Sequence, residues 1–346
     1  MKIVSIVGAR PQFIKLKLVS QQLIKKKHSH IYSDQYYDSN MSDVFFEGLE
    51  ISKLKFNLEI GSGFHVKQTG RVIIKIEAEI LQRKPDWVLV YGDTNSTLAG
   101  AVATSKINIV VVYIEAGLRL FNRSMPEELI GVVPDHPSNV LFAITKIAML
   151  HLQKKGLTEI SYLAGDLMAD LLFSTLDSNM HSARIKCDSY LVLRINRASN
   201  TDDQAQLGRI IRVLSTFGTK ALLIDYPRLV AVTNKFNTHL ESKNIEPLGY
   251  HQMINLIKYS VGVITDSGGL QKEAFLVGAP CENTRAETEW PEIFAGKMNV
   301  LGPLAENLRD LIGRKVTSPT ERPFGDGSAS QKITVILENQ DLGKAA

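Results

Sequence analysis

Short β-branched runs alternate with amphipathic segments along most of this chain, and that alternation leaves few folds open. KIVSIVG at 2–8 is such a run, and PQFIKLKLVSQQLIKK after it spaces its apolar residues as a helix does. HIYS, DWVLVYG (86–92), IVVVYIEA (109–116), NVLFAI and ISYLAG read as further strands. Amphipathic segments at 38–50, 66–83, 94–105 and 145–155 lie between them. A strand that is apolar along its whole length must be covered on both faces, and the intervening helices supply the cover. The pattern predicts an α/β fold with a parallel sheet.

The rhythm breaks at 174–188, STLDSNMHSARIKCD, which is polar, without periodicity, and reads as a linker between domains. It then restarts with YLVLRIN, a helix at 202–217, ALLIDY, a helix at 227–240, a short IEPLGY, a helix at 251–260, VGVITDS (261–267) and a helix at 268–278. LRDLIGRK and SASQKITVILEN read as closing helices. A length of 346 residues fits two domains. Two doubly wound domains in series place a ligand cleft between them, at the carboxyl ends of their strands.

Composition narrows the partners. Hydrophobic residues make up 44% and charged residues 22%, which is ordinary for a globular chain. A net charge of +4 is too small and dispersed for nucleic acid but suits a small anion. The one charge cluster, KKKHSH at 25–30, reads as a solvated helix end. Cys187 and Cys281 form neither a disulfide framework nor a metal-binding spacing. MKIVSIVGARP lacks the charged start, long apolar stretch and cleavage site of a leader, and no apolar run approaches the ~18–20 residues of a membrane span. The expectation is a cytoplasmic chain that binds neither membrane nor metal.

Each strong strand ends in a polar cluster. GARPQFIK carries Arg10 and Lys15, YGDTNST carries Asp93, and IEAGLR carries Glu115, Gly117 and Arg119, with MPEE (125–128) in the loop beyond. INRASN and TDSGGLQKE do the same in the second half. Singly, each has a structural alternative: Asp93 as a helix cap, Glu115 as a paired buried carboxylate, Arg10 as a surface ion-pair partner. Repetition at the same end of successive strands, where α/β folds keep their sites, favours function. In DSGGLQKEA (266–274), Gly268 and Gly269 open a helix with bare amides, an anion site in waiting, and Glu273 follows about one and a half turns later, where it could hold two ribose hydroxyls. The spacing is neither GxxxxGK nor GxGxxG. A nucleoside diphosphate held by amides and arginines is the expected ligand.

GARPQFIK, QTGR (68–71), YGDTNSTLAG, EAGLR, MPEE, DSGGLQKEA, ETEWPE (287–292) and PFGDG (323–327) stand in the order found in the non-hydrolysing UDP-N-acetylglucosamine 2-epimerases, which the chain resembles over nearly its whole length. It is also similar to the relatives acting on UDP-2,3-diacetamido-glucuronic acid, toward which GARPQFIK leans. The resemblance implies a GT-B-like fold: a Rossmann-like domain at 1–173 with the catalytic carboxylates, a linker at 174–188, a UDP-binding Rossmann-like domain at 189–327, and a last helix at 328–346 packing back on the first domain. It implies a homodimer without metal or nicotinamide cofactor, which inverts C2 of a UDP-2-acetamido sugar for surface polysaccharide precursors. UDP leaves C1 by elimination, a glycal forms, and UDP adds back. By the same resemblance Asp93, Glu115 and Glu127 are the catalytic carboxylates. Arg10 and Lys15 meet the diphosphate with Ser267, Gly268 and Gly269, and Glu273 takes the ribose. Arg285 and Glu289 belong to a loop facing sugar or phosphate.

The chain departs from the family pattern at several of these places. The family's H-R-x-E-N reads Asn196-Arg197-Ala198-Ser199-Asn200, so an amide that can bond but cannot carry a proton stands where the family has imidazole; the resemblance implies that Asn196 and Arg197 still face UDP. Q-H-Y-D reads Gln35-Tyr36-Tyr37-Asp38, and H-P-R reads Tyr226-Pro227-Arg228. N-R after MPEE reads Ile130-Gly131, and an Asp is replaced by Ala286. Pro134 should end or kink the helix the family has there. His136, beside Asp135, is either a substitute proton carrier or a helix-end histidine. Three functions remain open from sequence: a working epimerase, a degenerate relative that binds UDP-sugar with little turnover, and a glycosyltransferase of the same architecture.

Overall fold

A computed structural model describes residues 2–8, 10–23, 27–33, 57–58, 60, 64–123, 125–177, 189–195, 197–215, 220–223, 242–244, 248–302, 310 and 322–339. It divides into two compact units, Met1–Phe173 with Pro323–Ala346, and Ser174–Arg322.

In the first unit β1 (Lys2–Val7), β2 (Lys27–Tyr32), β3 (Trp87–Tyr91), β4 (Val110–Ala116), β5 (Val140–Ala143) and β6 (Ser161–Leu163) pair in the order β2-β1-β3-β4-β5-β6, every pairing parallel. The chain steps outward from β1 to β2 and then returns to β1's other side for β3, which makes the carboxyl ends of β1 and β3 a topological switch point. One face of the sheet packs on α1 (Arg10–Gln22) through Phe13, Leu16 and Val19, with Leu23 just beyond the helix. The other is covered by α2 (His65–Arg83) through Val72, Ile76 and Ile80, and by α3 (Asn95–Lys106) through its alanines. α4 (Pro126–Val132) and α5 (Lys146–Gln153) follow. Strands buried on both sides need no polar alternation, which is why they read as unbroken apolar runs.

Two sequence expectations change here. Residues 27–30 of the segment read as a solvated helix end open β2 and extend the expected HIYS strand backward, with His28 and His30 on the face that carries Ser5 and Tyr91. MPEE does not lie in a loop: Met125 is the N-cap of α4, Pro126 its first residue and Glu127 its second. α4 ends at Val132, two residues before Pro134, as the proline requires.

α6 (Leu167–Asp177) includes the first residues of the expected linker; 178–188 lie outside the described residues.

In the second unit β7 (Tyr190–Arg194), β8 (Lys220–Leu223), β9 (Ser242–Asn244), β10 (Gly262–Thr265), β11 (Cys281–Asn283) and β12 (Asn299–Leu301) form a parallel sheet in the order β12-β11-β10-β7-β8-β9. The order reverses between β7 and β10, the doubly wound arrangement again. α7 (Ala198–Thr201), α8 (Gln204–Ser215), α9 (Tyr250–Lys258) and α10 (Gly268–Val277) accompany it. β9 precedes the expected IEPLGY strand, and the expected helices at 38–50 and 227–240 lie outside the described residues, as does LRDLIGRK apart from residue 310.

The chain then re-enters the first unit. α11 (Ala329–Asn339) buries Ala329, Ile333 and Leu337 in the same core as α1. The N–H groups of Ala329 and Ser330, unpaired within their own helix, donate to the Asp170 carboxylate at 2.9 and 2.8 Å. Burial pushes the Asp170 pKa up, and these bonds hold it down.

Candidate active site

In the first unit the switch point is closed by one side chain. Gln12 accepts from the Gly8 N–H at 2.7 Å and donates to the carbonyl of Tyr91 and to Thr94 Oγ1 at 2.9 Å, so the turn after β1 is tied to the end of β3. One turn further along α1, Lys15 reaches Glu115 with 2.5 Å between Nζ and Oε2, both side chains more than nine-tenths buried. Glu115 sits where the pairing of β4 with β5 shifts register, and its φ of +75° lies in the left-handed region. A bulge and a backbone costing on the order of 1–3 kcal/mol turn this carboxylate out of the strand's normal alternation. Its Oε1 is buried with no partner among the described residues. Gly92, at φ +60°, makes room: a Cβ there would lie 2.9 Å from Glu115 Oε2 and 3.6 Å from Lys15 Nζ.

Asp93 is exposed at the tip beyond β3. It does not cap α3; Thr94 does, accepting from the Thr97 N–H at 3.3 Å. Asp93 and Glu115 act on a common group, the buried hydroxyl of Tyr113. Its pKa stands well above the usual value, first through burial and then through the negative charges of Asp135, Asp93 and Glu115. Arg10 opens α1 and Glu127 lies in the first turn of α4. Arg119 is structural: its guanidinium pairs with the fully buried Asp135 and donates to the carbonyls of Leu118, at 2.6 Å, and Gly131, at 3.3 Å. Glu128, neighbour of Glu127, accepts from the N–H groups of Leu120 at 2.6 Å and Phe121 at 3.1 Å, fixing the loop after β4. His136 is exposed in the turn beyond α4.

In the second unit Asp266 ties the switch point. Its Oδ2 accepts from the Arg197 N–H at 2.8 Å and from Asn200 Nδ2 at 3.1 Å, and Asn200 also reaches Thr284 Oγ1 at 3.3 Å. Asn196, like Gln35–Asp38 and Tyr226–Arg228, lies outside the described residues. Ser267 caps α10, accepting from the Leu270 N–H at 3.4 Å and from Arg194 Nη1 at 3.2 Å. Gly268 and Gly269 are the first two residues of α10, so the helix places no side chain of its own on its positive end. Gly269 is exposed, and a Cβ on it would meet nothing within 4 Å. Glu273, half-buried, lies in the second turn. Arg285 is buried in the loop after β11; its Nη1 donates to Glu289 Oε2 at 2.8 Å, while Nη2 is buried without a partner among the described residues. Lys272 lies 4.2 Å from the ring centroid of Trp290.

Each unit thus carries those of its predicted residues that are described, which leaves Asn196 aside, at or after the carboxyl ends of its sheet's strands. Sequence reading passed over the ties that hold them. Gln12, Asp266 and Arg194 were legible only as members of polar clusters, because their partners lie some 70–80 residues away. Among the described residues no group of three or more His, Cys, Asp or Glu could hold a metal ion. Nor does any helix there have the length and apolarity to cross a membrane. Cys281 is buried and unpaired, and burial pushes its thiol pKa up.

Amides, arginines and a serine at one helix start suit a diphosphate, and a buried carboxylate beside a lysine suits proton transfer. The sequence profile of the family described as UDP-N-acetylglucosamine 2-epimerase matches residues 22–338. A UDP-N-acetylglucosamine 2-epimerase homolog of Methanococcus maripaludis is 40% identical, the alignment covering 98% of this chain and 100% of that protein. The UDP-2,3-diacetamido-2,3-dideoxy-D-glucuronate 2-epimerase of Pseudomonas aeruginosa is 39% identical, over 97% of this chain and 99% of that one. The crystal structure of Methanocaldococcus jannaschii UDP-GlcNAc 2-epimerase in complex with UDP-GlcNAc and UDP superimposes with a TM-score of 0.90 at 34% identity, covering 98% of this chain and 99% of that chain. With two doubly wound units in series, a GT-B-like α/β fold, and a family match over most of its length, this chain belongs to the UDP-N-acetylglucosamine 2-epimerase family.

Proposed function

We propose that the chain is a UDP-N-acetylglucosamine 2-epimerase that inverts C2 of its sugar by elimination and re-addition of UDP. The observation that carries this reading is Glu115: a carboxylate in a strained backbone, one oxygen bound to Lys15 and the other buried without a partner among the described residues. A hydrogen on C2 is barely acidic, so a base alone cannot remove it at useful rate. Departure of UDP makes removal feasible: the C2–H electrons form the C1–C2 double bond as the C1–O bond breaks, and its electrons leave on the diphosphate. A proton delivered to the other face of C2, with a UDP oxygen rebonding to C1, gives the epimer.

Three tasks follow for this chain. Glu115 exchanges the C2 proton, and Lys15 keeps its other oxygen in place. Asp93 and Glu127 provide acid and base on the remaining sides of the ring. The start of α10, with Ser267, Gly268, Gly269, Arg285, Arg197 and Asn196, holds the diphosphate and stabilises the charge that develops as it leaves; Arg10 assists, and Glu273 holds the ribose. The first unit then carries the acid–base work and the second the nucleotide. A homodimer acting in the cytoplasm, with no metal or nicotinamide, completes the reading.

A second substrate has support: the 39% identity to the diacetamido-glucuronate enzyme equals within a percentage point that to the first-named homolog. Incubation with each UDP-sugar in deuterium oxide, with C2 followed by NMR, tests both. Deuterium at C2 with a manno-configured product identifies the substrate. Saturable UDP binding without exchange for either sugar would instead mean that the departures at Asn196, Tyr36, Tyr226, Gly131 and Pro134 leave a binding protein.

A further inference from the structure

The start of α10 already holds an anion of the protein's own. Glu289 accepts from Arg285 at 2.8 Å through one oxygen, and its other oxygen lies so close to Gly268 that a Cβ on that residue would collide with it. Arg285 Nη1 lies 3.7 Å from the same position. A carboxylate and a guanidinium therefore sit together against the first residue of the helix, where bare amides and the positive helix end favour negative charge. The arginine is only partly used: it is 6% exposed, and its Nη2 is buried without a partner among the described residues. An unsatisfied buried donor is costly, and its natural complement is an acceptor that the described residues do not supply.

We propose that Glu289 is the resident counter-anion of Arg285, and that an incoming nucleoside diphosphate displaces its carboxylate from the start of α10. The inference rests on the reading of this helix start as the diphosphate cradle. In the free protein Glu289 neutralises Arg285 and keeps its plane in place. A diphosphate offers more charge and more acceptor oxygens, enough to satisfy Nη2 together with Nη1. The exchange gives Glu289 a defined role as a positioning residue, since it sets how strongly anions bind without touching the reacting carbons. It also explains why residue 268 must lack a Cβ even though its backbone is ordinary helix: the space belongs to a carboxylate.

The sign of the effect makes the test sharp. Glu289→Gln keeps the shape, removes the competing charge, and should tighten UDP binding about tenfold, which corresponds to ~1.4 kcal/mol. Uridine, which has no phosphate, should bind wild type and variant alike. Arg285→Gln should weaken UDP and leave uridine unchanged. Calorimetry on the full chain reads all of these, and Glu289→Ala is a second variant should the amide substitution fold poorly. Weaker or unchanged UDP binding by both folded Glu289 variants, with Arg285→Gln still weakening it, overturns the counter-anion role and leaves the diphosphate cradle standing. If UDP and uridine bind equally to wild type and every variant, the cradle itself is misplaced.

Discussion

His28 should make the first unit sensitive to acid in a way that a single substitution can isolate. Its Nε2 bonds Ser5 Oγ at 2.9 Å, Ser5 in turn bonds the Tyr91 hydroxyl at 2.8 Å, and its ring meets that of His30 edge-on at 4.6 Å between centroids. Burial, and secondarily the charge of His30, lower the His28 pKa from 6.5 to about 3. The unfolded chain therefore binds a proton between about pH 3 and 6.5 that the folded chain refuses. The neutral histidine's contribution is complete above pH 6.5 and is lost progressively as pH falls toward 3. At pH 5 the unfolded imidazole is roughly 1.5 units below its pKa, which at 1.36 kcal/mol per unit gives about 2 kcal/mol, or nearer 1 where water reaches the partly exposed ring. His28→Gln keeps a hydrogen-bonding side chain and removes the titration. The two tryptophans of the sequence separate the units, Trp87 lying in β3 and Trp290 in the second unit. In a Trp290→Phe background, urea unfolding followed by Trp87 fluorescence reports the first unit alone. Between pH 7.5 and 5 the parent should lose ~1–2 kcal/mol more than His28→Gln. Equal losses would mean that His28 is protonated in the folded protein, and the argument from burial would be wrong.

Three further substitutions probe the first unit. Glu115→Gln should abolish C2 exchange while UDP binding stays within roughly tenfold, ~1.4 kcal/mol, and normal turnover would remove Glu115 from the chemistry. Gly92→Ala forces a side chain into a left-handed backbone and toward Glu115, so unfolding should come ~1–2 kcal/mol earlier and exchange should slow at least about tenfold; a rate unchanged by the substitution would show that the placement of Glu115 is not critical. Asp170→Ala strips both acceptors from the first amides of α11 and should cost about 2 kcal/mol in the Trp87-reported transition, whereas an unshifted midpoint would mean that α11 holds its place by apolar packing alone.

The layered architecture was legible because burial on two faces writes itself into a strand as an unbroken apolar run, and nearly every such run became a strand. HIYS was read correctly as strand, but the start of β2 was missed because its inward position carries His28, bonded to Ser5, which in turn bonds Tyr91, on two other strands. A lysine-rich start then looked like a helix end, since charge is a local signal and the partners are not. MPEE was placed in a loop although proline followed by glutamate is itself a helix-start pattern, with proline losing nothing where the first N–H is unpaired anyway. Motifs named the candidate residues, but what each side chain touches was not readable from them. Neighbouring glutamates in MPEE illustrate the gap: Glu128 clamps the N–H groups of Leu120 and Phe121, a use that only the folded loop reveals. Asp93 and Thr94 were both readable as caps of the next helix, and the bond from the Thr97 N–H settles the choice on Thr94.

Both units solve the same problem in the same way. A doubly wound sheet brings two strand ends together at its switch point and leaves their loops to be fixed by something other than the ladder. In the first unit Gln12 bonds the turn after β1 to the end of β3; in the second Asp266 bonds the turn after β7 to the end of β10. Each is a short side chain, at most 2% exposed, spending its hydrogen bonds on backbone and side-chain groups of the opposite loop. The proposed catalytic and binding side chains hang from these ties: Lys15 lies one helical turn beyond Gln12, and Ser267 lies directly after Asp266. Such an arrangement separates rigidity from chemistry: the tying residues bond across the switch points, while nearby Glu115 Oε1 in the first unit and Arg285 Nη2 in the second are buried without a partner among the described residues. Buried polar atoms left without partners are expensive, and in the proposed reaction the sugar would complete the first and the diphosphate the second.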